Sequence, residues 1–363
     1  MRNVKSRTLF ERFGVALLVV GALASTTGCK KLLKKGLQNA MADAGTGATG
    51  TGSSGGTAAN SAEDPDDVLE DKIQAYIVCQ NSISSDIYDS RARYFQWVDP
   101  VKPLTGTERY QYGLYKVDPK EATDCSTNVV KANKMLPSNP KLEGLGTEFA
   151  AASSEVATLT DQAYKYYEQK DWRDDKWAKG KELDPKLKAA WKRFQKVDHE
   201  LHDELGGITK PLARRRLAQI EKEDGRKFLY NRRNVLMTAR ELVEAGAVDE
   251  DVTVDFALYE SAFKDFDSAM NDLTTYGNAH KADLSKSRTV TASTAYDQFT
   301  RQAEDFRKKA KEQLRCLRDA PAKAKTGTKV AVRKMPFCRD GSRADVVKEC
   351  NEFINTSNTW KFP

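Results

Sequence analysis

Residues 67–98 read DVLEDKIQAYIVCQNSISSDIYDSRARYFQWV, and their spacing decides the fold. Large apolar side chains recur along this stretch in steps of four and three residues, with charged and polar residues between them. Such spacing puts the apolar side chains on one stripe of a helix, and the stripe packs against other helices. The stripe consists of Leu69, Ile73, Tyr76, Ile83, Ile87, Tyr94 and Trp97, with Gln80 as its polar member.

The same spacing recurs in later segments and predicts an all-α protein. Breakers at Gly206-Gly207, Gly246 and Gly277 are expected to separate helices, and Val330 to Val332 is the only strand-like piece. Stripes of this length predict an elongated antiparallel helical bundle with coiled-coil-like packing. The predicted helices cover about 66–98, 118–136, 141–170, 176–205, 212–245, 252–273, 296–317 and 342–356.

The amino-terminal stretch Val15 to Cys29, VALLVVGALASTTGC, predicts export. A basic start, a short apolar run and small residues before a cysteine are typical of a lipoprotein signal peptide, here residues 1–28. We predict cleavage before Cys29 and lipid attachment, including palmitate, to that cysteine. Thr26 departs from this pattern, because a leucine usually stands there. The alternative is ordinary secretion with cleavage after Ala24.

Three further regions are expected after the signal peptide. Residues 29–65 form the lipid anchor and a flexible tether of Gly, Ser, Thr and Ala. Residues 66–319 form the helical bundle domain, and 320–363 form a basic loop with a short carboxyl-terminal helix. The predicted location is the bacterial cell envelope, on the extracytoplasmic face of a membrane. Because Lys30 follows the anchor, the outer membrane is expected in a host with two membranes.

The six cysteines fit an oxidising compartment. We predict a disulfide between Cys79 and Cys125, which would stabilise the fold by about 4 kcal/mol on the chain-entropy model. Cys316, Cys338 and Cys350 allow three pairings, and the alternative is that one or more are buried free thiols. We favour a bridge that involves Cys338. None of the cysteines has the spacing of a metal site.

One group of side chains has the residue types of a metal site. His199, His202 and Asp203 share a helix face within HELHDE, which is a minimum for metal ligation, but the spacing is not that of a zinc protease. Exposed helix polars are the favoured interpretation. No other motif offers a nucleophile with a base or a phosphate-binding loop. We therefore assign no catalytic residue, no metal site and no cofactor.

Two further groups could bind partners. Aromatic residues cluster in YKYYEQKDWRDDKWAKGK, either as a packed corner between long helices, which we favour, or as a ring-stacking surface for a glycan. Basic side chains cluster on a predicted helix, where acidic neighbours favour a solvated face. The net charge of +7 is dispersed, so no nucleic-acid partner is expected. The aromatic residues are Tyr164, Tyr166, Tyr167, Trp172 and Trp177, and the basic ones are Arg214, Arg215, Arg216, Arg232 and Arg233.

Several segments together resemble a known family. They are DKIQAYIVCQN at 71–81, GTERYQYGLY at 106–115, YKYYEQKDWRDDKWAKGKEL at 164–183 and IEKEDGRKFLYNRRNVLMTAREL at 220–242. With the leader and tether, this order resembles the YiiG-like bacterial lipoproteins, a family of unknown function. The resemblance covers roughly 66–316. It implies an all-helical envelope lipoprotein with cysteines at the positions of Cys79 and Cys125, and it brings no catalytic residues.

These observations lead to two expected functions. The first is a non-enzymatic binding or scaffolding lipoprotein, held to a membrane by its lipid, with an envelope protein or a glycan as partner. The alternative is a periplasmic ligand-binding or metal-binding protein that uses a polar cleft between helices, around His199, His202, Trp172 and Trp177. Carboxylates or histidines facing inward on the stripes would favour the alternative.

Overall fold

The computed structural model describes residues 64–246, 253–285, 292–332 and 342–359, and these residues are predominantly helical. The predicted all-α helical bundle is confirmed. The leader, the predicted tether up to residue 63, Cys29 and Cys338 lie outside the described residues. The helices are α1 (Pro65–Tyr94), α2 (Pro119–Ala132), α3 (Pro140–Gln169), α4 (Ala178–Asp224), α5 (Phe228–Ala245), α6 (Phe256–Ser285), α7 (Ala292–Arg318) and α8 (Arg343–Thr359).

The first three helices begin with the same local chemistry. Each has a proline at its start, where the missing N–H costs nothing, preceded by a side chain that caps the helix. Asp64 accepts a hydrogen bond from the Asp66 N–H, and Asp118 accepts one from the Lys120 N–H. Asn139 accepts a hydrogen bond from the Leu142 N–H at 3.1 Å. These caps explain why the predicted starts lie within two residues of the observed ones.

Helix α4 corrects two predictions. It runs without interruption through Gly206-Gly207, where the sequence predicts a break, and it ends at Asp224, before Gly225, inside the helix predicted over 212–245. Two glycines in a helix cost about 2 kcal/mol relative to alanine, but buried Leu201, Leu205 and Leu212 hold the helix against its neighbours. With 47 residues, α4 is about 70 Å long.

Gly277 is also not a breaker. It lies inside α6, which bends at His280 just beyond this glycine and then continues to Ser285. A side chain at this position would collide with the ring of Tyr296 on α7. This glycine therefore allows two helices to approach closely, which is a packing role rather than a turn.

A small antiparallel sheet accompanies the helices in the described part of the chain. Its strands are β1 (Thr253–Asp255), β2 (Lys325–Thr326) and β3 (Lys329–Ala331), in the order β1-β3-β2. Val254 pairs with Val330, and both side chains are buried. The prediction of a single strand-like piece at Val330 to Val332 is thus incomplete, because β1 lies in a segment that the sequence predicts as helix.

The buried apolar residues form two separate clusters. The first core lies among α1, α2, α3 and α4, and the second lies among α5, α6, α7, α8 and the sheet. Helices that follow one another along the chain pack together, and α8 contacts both α7 and α5. No helix of the described residues is both long and apolar enough to cross a lipid bilayer.

Candidate functional site

The predicted histidine group does not assemble a ligand set. His199 is exposed, and its Nδ1 lies 2.6 Å from the carbonyl oxygen of Gln195 on the same helix. His202 is partly buried, Asp203 is exposed, and burial lowers the pKa of His202. Within the described ranges, no group of three His, Cys, Asp or Glu side chains is arranged to hold a metal ion.

A fully buried carboxylate, Asp198, lies one helical turn before His202. Its Oδ1 accepts hydrogen bonds from Gln80 Nε2 and Ser84 Oγ, each at 2.9 Å. Its Oδ2 accepts one from Tyr88 Oη at 2.8 Å. Burial raises the pKa of Asp198, and the three donors oppose that rise. All three donors lie on α1, so Asp198 fastens α4 to α1 through the centre of the first core.

Two further buried charges fasten loops to helices. Asp184 on α4 accepts hydrogen bonds from Tyr94 Oη and from the Leu104 N–H, both at 3.0 Å, and pairs with Lys188. Lys72 on α1 donates to the carbonyl oxygens of residues 135 and 137 and pairs with Glu143. Each charge thus joins segments that are distant in sequence.

A polar group lies between α4 and α5. Arg240 Nε donates to Glu244 at 2.9 Å, and Arg240 Nη1 donates to Thr209 at 3.2 Å. Lys210 pairs with the second oxygen of Glu244 at 2.6 Å. Burial is the largest cause that lowers the pKa of His202; the charges of Asp198 and Glu244 oppose this shift, and that of Arg240 adds to it. The contacts of Arg240 and Lys210 connect α4 to α5.

The aromatic residues at 164–177 form the packed corner that the sequence analysis favours. Tyr166 and Tyr167 are buried, while Trp172 and Trp177 are partly buried and face each other with ring centroids 4.8 Å apart. Trp177 also contacts Trp97 at the end of α1, with a centroid distance of 6.1 Å. This corner closes one end of the first core.

Another aromatic group is exposed, and the sequence analysis did not single it out. Tyr110, Tyr112 and Tyr115 lie in the segment between α1 and α2. They occur in GTERYQYGLY, which served above only to identify the family resemblance. In the sequence, only the spacing of the tyrosines, with other residues between them, distinguishes this segment as a possible surface.

The three consecutive arginines are paired with acidic side chains. Arg216 contacts Asp64, Asp67 and Glu70 at the start of α1, and Arg215 pairs with Asp66 at 2.8 Å. The hydrogen bond from Arg215 lowers the pKa of Asp66. Arg214 pairs with Glu241 on α5 at 2.7 Å. Arg233 is exposed, and Arg232 donates to the carbonyl oxygen of Ser357 at 2.6 Å. Acidic neighbours are expected for these arginines from the sequence. Most of the acidic partners in the structure lie at the start of α1.

The structure distinguishes between the cysteines. It joins Cys79 to Cys125 in a disulfide with the Cα atoms 4.5 Å apart, which is the pair that the sequence analysis favours. Cys316 is also disulfide-bonded. Cys350 is a buried free thiol, and burial raises its pKa to about 12. The pairings that include Cys350 are therefore wrong, and this side chain instead belongs to the apolar packing of the second core.

These features define a class of protein: an all-helical body with two cores, stapled by a disulfide and fastened internally by buried charges. A family model described as "Protein of unknown function (DUF3829)" matches residues 67–359. The chain belongs to this family.

A curated relative supports the same assignment. The chain is 27% identical over 187 residues to "Uncharacterized protein YiiG" of Escherichia coli (strain K12). The match covers 51% of this chain and 53% of that protein, so the chain spans about half the length of the curated relative it matches. The resemblance to the YiiG-like family is thereby confirmed. No solved structure matches the chain.

Proposed function

We propose that this chain is a lipoprotein of the bacterial cell envelope, attached to a membrane through Cys29, whose helical body binds or scaffolds other envelope components without catalysis. The disulfide between Cys79 and Cys125 carries this proposal. Disulfides persist in oxidising compartments, which lie outside the cytoplasm in most bacteria. The signal-like pattern of residues 15–29 supports export independently.

Asp198 and Asp184 face inward, the feature that would favour a ligand-binding or metal-binding cleft, but their contacts support a role in holding the helices together. Asp198, Asp184 and Lys72 would be the reactive groups of a core-centred active site. Each is instead engaged with backbone or side-chain groups of distant segments. These three side chains therefore hold the bundle together, and we expect partners to bind at its surface.

Metabolic labelling tests the anchor. Cells that produce the full-length chain would be grown with an alkyne analogue of palmitate, and the purified chain would be examined by mass spectrometry. The expected result is a labelled mature chain that begins at lipid-modified Cys29. The variant Cys29→Ser is expected to carry no label. In a host with two membranes, the chain is expected in the outer-membrane fraction. An unlabelled mature chain that begins at Ser25 would overturn the lipid anchor while leaving export in place.

A further inference from the structure

Three exposed tyrosines and two arginines form one surface, here called the tyrosine surface: Tyr110, Tyr112, Tyr115, Arg93 and Arg109. The tyrosines are 53%, 46% and 54% exposed. The rings of Tyr110 and Tyr112 are nearly parallel, at 13°, with their centroids 6.0 Å apart. Clustered exposed aromatic residues mark interaction sites, and tyrosine and arginine dominate binding hot spots.

The two arginines flank the rings. The guanidinium carbon of Arg93 lies 5.0 Å from the ring centroid of Tyr112, and that of Arg109 lies 5.2 Å from the centroid of Tyr110. Arg93 also donates a hydrogen bond to Gln96 Oε1 at 3.2 Å, and neither arginine forms a salt bridge with another residue that the structure describes. The neighbouring carboxylate of Glu108 accepts hydrogen bonds from the N–H groups of 105 and 106. Burial would raise the pKa of Glu108, but these hydrogen bonds lower it, so the carboxylate stays charged and the surface carries two guanidinium groups and one carboxylate beside the rings.

The backbone beneath the rings is held in place from α1. Ser90 Oγ donates to the carbonyl oxygen of Tyr115 at 2.6 Å, and Trp97 Nε1 donates to that of Gly113 at 2.8 Å. Leu114 and Val117 are buried in the first core. Gly113 has φ 63°, a left-handed conformation that glycine adopts without strain. A surface fixed in this way binds with less loss of conformational entropy.

We propose that the tyrosine surface binds a carboxylate-bearing glycan of the cell envelope. Tyrosine rings stack on the apolar faces of sugars, and guanidinium groups form charge-assisted hydrogen bonds with carboxylates. Charge complementarity selects the acidic ligand, and parallel rings with polar edges suit a flat sugar chain better than an apolar helix face, which needs a groove. This assignment deepens the proposed function and rests on it, because it requires a body outside the cytoplasm.

The position of the surface agrees with this ligand. Helix α1 has 30 residues, so its two ends are about 45 Å apart. The proposed tether leads into the first end at Pro65, and the tyrosine surface adjoins the second end through Ser90 and Trp97. The rings thus lie about one helix length from the point where the proposed tether enters the body.

Co-sedimentation tests the proposal. The full-length chain, purified in a non-ionic detergent, would be mixed with purified peptidoglycan, which bears peptide carboxylates, with neutral chitin, and with poly-glutamate beads. We expect binding to peptidoglycan that is at least about tenfold tighter than binding to the other two. The assay does not require lipid on Cys29, so a failed palmitate label would sink the anchor and leave this result interpretable.

Paired variants identify the residues. Y110A/Y112A is expected to weaken peptidoglycan binding at least about tenfold, and Y110F/Y112F, which keeps the rings, to retain it. R93Q/R109Q is expected to bind peptidoglycan no better than chitin, while the charge control R301Q binds like the unmodified chain. Thermal unfolding midpoints verify that each variant folds. Failure of the chain to bind peptidoglycan, equal binding by Y110A/Y112A, or a preference for poly-glutamate, which would indicate an acidic protein partner, each overturns the proposal.

Discussion

Two opposing effects act on the carboxylate of Asp198 in the first core. Its burial disfavours the charged carboxylate, while Gln80, Ser84 and Tyr88 donate to it from a single face of α1. A buried polar group stabilises a fold only when its hydrogen bonds are made, and leaving its donors unpaired is costly. Asp198 therefore determines how α4 is positioned against α1.

Asp198→Ala is expected to lower the free energy of unfolding by about 2–4 kcal/mol, because three buried donors lose their acceptor and a cavity remains. Asp198→Asn keeps one acceptor oxygen and should cost less. Urea denaturation followed by circular dichroism measures both. Asp203→Asn, on the exposed face of the same helix, is the control and should change little. A neutral effect of Asp198→Ala would contradict this role.

The titration of Asp198 predicts a pH dependence. Its pKa is raised in the folded protein, so between the unfolded value of about 3.9 and the folded value the folded state binds more protons. The stability that Asp198 contributes is therefore present below the unfolded pKa and lost as pH rises through the folded pKa. The free energy of unfolding of the unmodified chain minus that of Asp198→Asn should fall from about pH 4 to pH 7. An increase over that range would refute the assignment.

The bonded state of Cys316 predicts a specific peptide. Cys79 and Cys125 are joined and Cys350 is a free thiol, and we expect Cys316 to pair with Cys338. Non-reducing peptide mapping of the full chain should yield this linked pair. Cys350 should react with alkylating reagents only after denaturation, because its thiol is buried. Recovery of Cys350 in a disulfide would disprove the arrangement.

At the scale of elements, glycine has opposite roles in two long helices. Gly207 lies on the exposed side of α4, where an added Cβ would meet no atom within 4 Å. Gly277 on α6 lies against Tyr296, where an added Cβ would clash. The sequence presents both as breakers, and only the packing around them separates the two cases.

Gly207→Ala is expected to stabilise the protein by about 0.5–1 kcal/mol, since alanine restricts the unfolded chain and fits the helix. Gly277→Ala is expected to destabilise it by about 1–3 kcal/mol, since α6 and α7 must move apart. The two substitutions change the same atoms and serve as controls for each other. Thermal denaturation of both variants measures the difference between their unfolding midpoints. Equal shifts of the two midpoints would show that packing does not determine the effect of the added methyl group.

The helices could be predicted because their apolar stripes are long and regular, whereas other features depend on contacts that no local pattern records. Strand β1 has only three residues and exists through its pairing with β3. Asp198 interrupts an apolar stripe, and its partners Ser84 and Tyr88 lie more than a hundred residues away. The tyrosines of the tyrosine surface were visible in the sequence, but alternation alone does not decide whether rings are buried or exposed.

At the scale of the molecule, two cores are joined through few contacts. The first core takes its apolar residues from α1 to α4 as far as Leu212, and the second begins at Val235. Between them, α4 and α5 are connected by the ion pairs of Lys210 with Glu244 and of Arg214 with Glu241. A junction made of polar contacts contributes little to the cooperativity between the two cores. The two cores are therefore expected to unfold in separate steps.

Trp fluorescence and far-ultraviolet circular dichroism can separate these steps. Trp97, Trp172, Trp177 and Trp191, four of the five tryptophans, belong to or pack against the first core. Removing the disulfide of that core with Cys79→Ser/Cys125→Ser should lower its stability by about 4 kcal/mol. The fluorescence transition should therefore shift to lower urea, while a second transition seen by circular dichroism stays in place. A single transition that shifts equally by both probes would indicate one cooperative unit.

The ion pairs of Arg215 and Arg216 with the start of α1 have a mechanical consequence. If the chain is tethered at Cys29, any pulling force between membrane and body enters the fold at Asp64, where these arginines grip the first turn. The pair of Arg215 is exposed and the guanidinium of Arg216 is partly buried, and ion pairs that water reaches weaken as ionic strength rises. The first turns of α1 would then peel away before the disulfide at Cys79 carries the load. The first turns of α1 would thus unfold under load and protect the core, and the force that they withstand would fall as ionic strength rises.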